Sequence, residues 1–197
     1  RMLDHLVDDR LKAGKTYAVN VNSTVVIEGE LDDSFAAIPM TTRKRILLEV
    51  PYVEALHERA DFDRMVTVLE HEKFPVALDG IRWSSLPKLE VPPDRFAYLK
   101  IMWDRHLTPT NEADWAAFSA SVAKLGPERF ILFNCVDEAA IPDLITLGLT
   151  LFQGRGVENF MRQERVVTLH AGTRAEQPER LADETSRTGR QKGILGK

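Results

Sequence analysis

Short apolar runs alternate along this chain with stretches whose apolar residues recur every three or four positions. The runs are "TYAVNVN" (16–22), "RILLEV" (45–50), "FPVALD" (74–79), "RFAYLKIM" (95–102), "RFILFN" (129–134) and "LTLFQ" (149–153). Their length and the turn residues that bound them predict six buried strands. The helical patterns fall around and between them. Met2, Leu3, Leu6, Val7 and Leu11 share one face ahead of a stop at Gly14. A polar turn and a short helix around Asp33–Ile38 follow the first strand. Pro51 opens a helical stretch to about Glu72, with a break near Ala60–Asp61. Asn111 caps a helix that buries Trp115, Phe118, Val122 and Leu125 and ends at Gly126. Asp137 starts a helix carrying Ile141, Leu144 and Ile145, with Gly148 just past its end. A helix around Val157–Gln163 follows the last strand, and "RVVTLH" (165–170) reads as a short final strand or a segment packed on the domain. Strands alternating with helices predict parallel βα units, arranged as a doubly wound sheet or as a (β/α) barrel. Both architectures gather functional residues at the carboxyl ends of their strands.

Length and composition add bounds. The 197 residues suit one domain, read as 1–170, and from about Ala171 the chain turns polar and charged, as a flexible tail over 171–197 would. A net charge of -4 argues against nucleic-acid binding, which needs a basic face. The single cysteine, Cys135, forms no intrachain disulfide, so a reducing compartment, the cytoplasm, is the simple reading. No apolar run is long enough to span a bilayer and no signal peptide is visible. The chain begins with Arg1 rather than Met. It therefore reads as a piece of a longer protein, which could carry a membrane anchor upstream.

Six polar residues lie late in or end the six apolar runs: Asn20, Glu49 and Lys100 late in theirs, Asp79, Asn134 and Gln153 at the ends. Carboxylate and amide oxygens converging on one rim suit a hard cation such as Mg²⁺. Lys100 would then orient an anion or a water, or balance the carboxylates. The plainer reading is that strand ends must turn polar in any case, and that Lys100 simply pairs with Glu49 or Asp79 and relieves their repulsion. Arg82 and Arg155, in rim loops, could each grip a phosphate with two parallel hydrogen bonds. Trp83 could stack a base, but packing of its own loop is the better reading. Asp137 reads as a capping residue, and Cys135 as a small buried apolar group. The histidines at 5, 57, 71, 106 and 170 show no metal-ligand spacing.

Taken in order, the blocks resemble the EAL family, the cyclic di-GMP phosphodiesterase domain of bacteria. "YAVNVN" is similar to its "VNLS" strand, and "RILLEV" to the strand that carries a metal-binding Glu before "TE". "VALDGIRWSSL" resembles "ALDDFGTGYSSL", and "FAYLKI" resembles "DYLKID". "FILFNCVDE" resembles "VVAEGVET", and "LGLTLFQGRG" resembles "LGCDYVQGYLF". The resemblance runs from the first helix to about Phe160. It implies a modified TIM-like (β/α) barrel with its site at the strand carboxyl ends. It also implies that the signature "EAL" strand, with one metal-ligating Glu and a nucleotide-contacting Arg, belongs upstream of Arg1, leaving the barrel here incomplete at its N-terminal end. Position by position, Asn20, Glu49 and Asp79 match metal ligands, Lys100 the lysine that orients the catalytic water, and Gln153 a glutamine near the nucleotide.

The departures fall on the chemistry. Gly80 stands where the family has a second Asp, and the loop "GIRWSSL" is two residues shorter than the family's. Asn134 replaces the Glu of "AEGVE" and Asp137 the later Glu. Pro51-Tyr52 replaces "TE", and Met102 replaces the Asp after "LKI". With three negative ligands missing, the expectation is a catalytically inactive EAL-like module acting in cyclic di-GMP-related signalling through protein contacts. Lys100 would be vestigial. Glu49, Asp79 and Asn20 would hold Mg²⁺ weakly at most, and no cofactor would be required. The alternative is a non-hydrolysing cyclic di-GMP receptor using Asn20, Gln153, Arg82 and Arg155. An active phosphodiesterase ranks third. A protein partner or a homodimer is expected, with neither nucleic acid nor, for this chain, a membrane.

Overall fold

A computed structural model describes residues 16–29, 32–104 and 106–163. The helix predicted ahead of Gly14, the "RVVTLH" segment and the polar tail lie outside the described residues. Those up to Val157 belong to one compact unit, and the helical Glu158–Gln163 belong to a second.

All six predicted strands are present: β1 Tyr17–Asn20, β2 Ile46–Pro51, β3 Val76–Ile81, β4 Tyr98–Met102, β5 Phe130–Phe133 and β6 Leu151–Phe152. They form one sheet in the order β1-β2-β3-β4-β5-β6, each neighbour parallel. A doubly wound sheet reverses its strand order at a switch point. This sheet never reverses, so the structure takes the barrel-type alternative. Its two faces are distinct. Ile46, Leu48 and Val50 of β2, Leu78 of β3, Leu99 and Ile101 of β4, and Phe130 and Leu132 of β5 point into the main core. Leu47, Ala77 and Ile131, with Tyr98 against them, form a second apolar cluster on the other face. Strands apolar on both faces give the continuous hydrophobic runs seen in the sequence.

The helices are α1 Ser23–Ile27, α2 Asp32–Ala37, α3 Met40–Arg43, α4 Tyr52–His57, α5 Arg59–His71, α6 Glu112–Leu125 and α7 Ile141–Thr146, then a final helical stretch over 155–163. In α5, Phe62, Met65, Val66 and Leu69 are buried at helical spacing. In α6 the Asn111 side chain accepts the Asp114 N–H at 3.0 Å, and Gly126 ends the helix at φ 90°, as expected. Phe118 and Val122 are fully buried there, while Trp115 and Leu125 are half-buried.

Several boundaries differ from expectation. The polar turn after β1 is instead the helix α1. Its β-branched "TVVI" is a poor helix former. It is held by Asn22, whose Oδ1 accepts the Val25 N–H at 3.0 Å, and by Glu54 of α4, whose Oε2 accepts the Ser23 N–H at 2.9 Å. The helix break falls at Glu58 (φ -129°, ψ 53°), two positions before Ala60. Arg95 lies in a 3₁₀ turn, Pro93–Arg95, and β4 starts only at Tyr98. Of "LTLFQ" only Leu151 and Phe152 pair as strand. Ile145 of α7 is exposed, whereas Ile141 and Leu144 are buried.

One buried cation ties the helices before β2 to α5. The Arg43 guanidinium donates to Ile38 O at 2.9 Å, to Phe35 O at 2.6 Å, and to both Glu72 O and Glu72 Oε2 at 2.9 and 2.7 Å. It also lies over the Phe74 ring, 5.4 Å from the centroid. The planar fork of arginine meets these four acceptors at once, which a lysine could not do.

Candidate site at the strand carboxyl ends

The register sets the site. Asn20 lies opposite Glu49, and Pro51 opposite Asp79. Between β3 and β4 the register shifts between Leu78 and Ile81, a bulge that breaks strict side-chain alternation. Gly80 sits inside it at φ +80°, and its N–H donates to Asp79 Oδ1 at 2.9 Å. A Cβ at Gly80 would meet nothing within 4 Å, so backbone conformation rather than space favours glycine here.

Lys100 is the centre of the cluster. Its Nζ lies 2.7 Å from Glu49 Oε2 and 3.4 Å from Asp79 Oδ1. The ammonium also faces the Phe133 ring at 5.1 Å. Lys100 and Glu49 are each 5% exposed. Removing two charges from water is costly, and the short ion pair, the second carboxylate and the aromatic face together offset that cost. The pairing expected as the plainer reading of Lys100 is what the structure contains.

The other rim residues do not join this cluster. Asn20 is exposed and hydrogen-bonds to none of the three. Asn134 adopts φ +60°, a left-handed conformation that asparagine tolerates, and donates from Nδ2 to Asp104 Oδ2 at 3.3 Å. Asp104 also accepts the His106 N–H at 2.9 Å. No signal in the sequence marks Asp104, which lies two residues beyond β4 in a loop with no periodic pattern. Gln153 is exposed, while its backbone is tied down: its N–H donates to Leu132 O at 2.8 Å and its carbonyl accepts the Cys135 N–H at 3.0 Å.

The glycines after Gln153 have a backbone explanation. A Cβ on Gly154, at φ +142°, would stand 2.5 Å from Cys135 N, and one on Gly156 would stand 2.8 Å from Val136 O. Only glycine lets the end of β6 cross the segment after β5 this closely. Between them Arg155 is exposed and is helical, the first residue of the final helix rather than part of a loop. Arg82 is exposed between β3 and the 3₁₀ turn Trp83–Lys88. Trp83 is half-buried against the main core, the packing role expected of it.

Asp137 caps the turn Glu138–Ala140, accepting the Ala139 N–H at 2.9 Å. Cys135 is fully buried, and burial pushes its thiol up to about 11, which leaves it protonated and unreactive at neutral pH. His57, His71 and His106 are exposed, and His5 and His170 lie outside the described residues. Among the described residues, no group of three or more His, Cys, Asp or Glu could hold a metal ion, and no helix is long and apolar enough to cross a membrane.

No family model matches the chain, and no curated protein matches it in sequence. Solved structures do match. Vibrio cholerae LapD, an S helix-GGDEF-EAL chain solved bound to c-di-GMP, superposes with a TM-score of 0.61 at 14% identity over 80% of this chain and 39% of its own. Bacillus subtilis YkuI, a protein with an EAL domain solved with c-di-GMP and calcium, gives 0.53 at 18% over 78% and 38%. The EAL domain of Mycobacterium smegmatis DcpA gives 0.50 at 19% over 76% and 73%. The chain thus spans about two fifths of the LapD and YkuI chains. What the likeness gives is the fold: six parallel strands of an EAL-type, TIM-like barrel.

Proposed function

We propose that this chain is an EAL-like module of cyclic di-GMP-related regulation that does not hydrolyse the nucleotide and acts through protein contacts. The observation that carries the reading is the Lys100 ammonium set between Glu49 and Asp79. Two-metal phosphodiester hydrolysis needs two cations about 3.5–4 Å apart, and several carboxylates to offset their repulsion. Here the two carboxylates already share an internal cation. Position 80 is a glycine, and position 134 offers a neutral amide that bonds to Asp104. This donor set does not fit a two-cation centre. Glu49, Asp79 and Asn20 suit at most one weakly held Mg²⁺, which would have to compete with Lys100.

A second reading has its own support. Gln153, Arg82, Arg155 and Asn20 are exposed at or beside the rim, free to meet an anionic ligand, and LapD and YkuI were both solved with c-di-GMP. A receptor that binds without turnover would use those side chains. Calorimetric titration with cyclic di-GMP, with and without Mg²⁺, separates the readings when combined with an assay for the linear dinucleotide. The expected result is no Mg²⁺-dependent linear product and no saturable heat. Saturable heat without product moves the assignment to a receptor, and Mg²⁺-dependent product overturns both.

A further inference from the structure

We draw no further inference here: the strongest candidate, the exposed apolar pair Val53 and Leu56 on α4, beside the carboxyl end of β2, carries nothing because nothing in the structure shows what covers it.

Discussion

Lys100 carries more of the rim than any other residue. It neutralises two carboxylates and is nearly closed to water. Replacing it with methionine would keep the stem packed and leave Glu49 buried without a cation. Such a loss costs about 3–5 kcal/mol, because the remaining charge is uncompensated. Denaturant unfolding at neutral pH should show that loss in Lys100→Met, and the double variant Lys100→Met with Glu49→Gln should recover most of it. A loss under about 1 kcal/mol in the single variant would mean that the pair contributes little. The sequence made this cluster legible, since charged residues late in buried apolar runs have few partners other than one another. It did not make the fates of Asn134 and Arg155 legible. Asn134 turns on a left-handed backbone toward a loop aspartate, and Arg155 starts a helix between two glycines that pass close to the segment after β5. Neither event leaves a periodic trace.

At the scale of elements, α6 and the strands were readable because their patterns are long or their caps strong. The helix α1 was not, because its hold comes from Glu54, thirty-one residues away. The anchoring of α3 to the end of α5 is likewise tertiary, and it sets a pH dependence. Glu72 is held below the ordinary carboxylate value of 4.5, first by its hydrogen bond with His71 and then by the Arg43 guanidinium, with burial opposing. A carboxyl depressed in the folded state takes up its proton more readily once unfolded. The stabilisation is therefore complete above 4.5 and is lost as the pH falls through the lower folded value. Thermal melts between about pH 6 and pH 3 should show a falling midpoint whose slope is shallower in Glu72→Gln. Identical slopes would show that Glu72 makes no contribution to the acid limb.

For the whole molecule, alternating runs predicted parallel βα units but left two architectures open, and the unbroken strand order decided between them. The hydrophobic pattern alone could not do so, because strand order depends on which strands meet in space; the resemblance of the ordered blocks to the EAL family did imply the barrel. The same order has a consequence for how the unit comes apart. Every described strand hydrogen-bonds only to strands adjacent in the chain, so β2 to β5 each have two flanking partners while β1 and β6 each have one. The sheet is thus a linear array with nearest-neighbour couplings, and such arrays loosen from their ends inward rather than all at once. Native-state hydrogen exchange should rank the strands accordingly. Amides of the two-residue β6 and the half-exposed β1 should exchange fastest, and those of β3 and β4 slowest. Uniform protection across all six strands would instead show a single cooperative block. Among the described strands, either margin of the sheet can thus loosen while the centre holds, and whatever engages β1 or β6 would hold that margin in place.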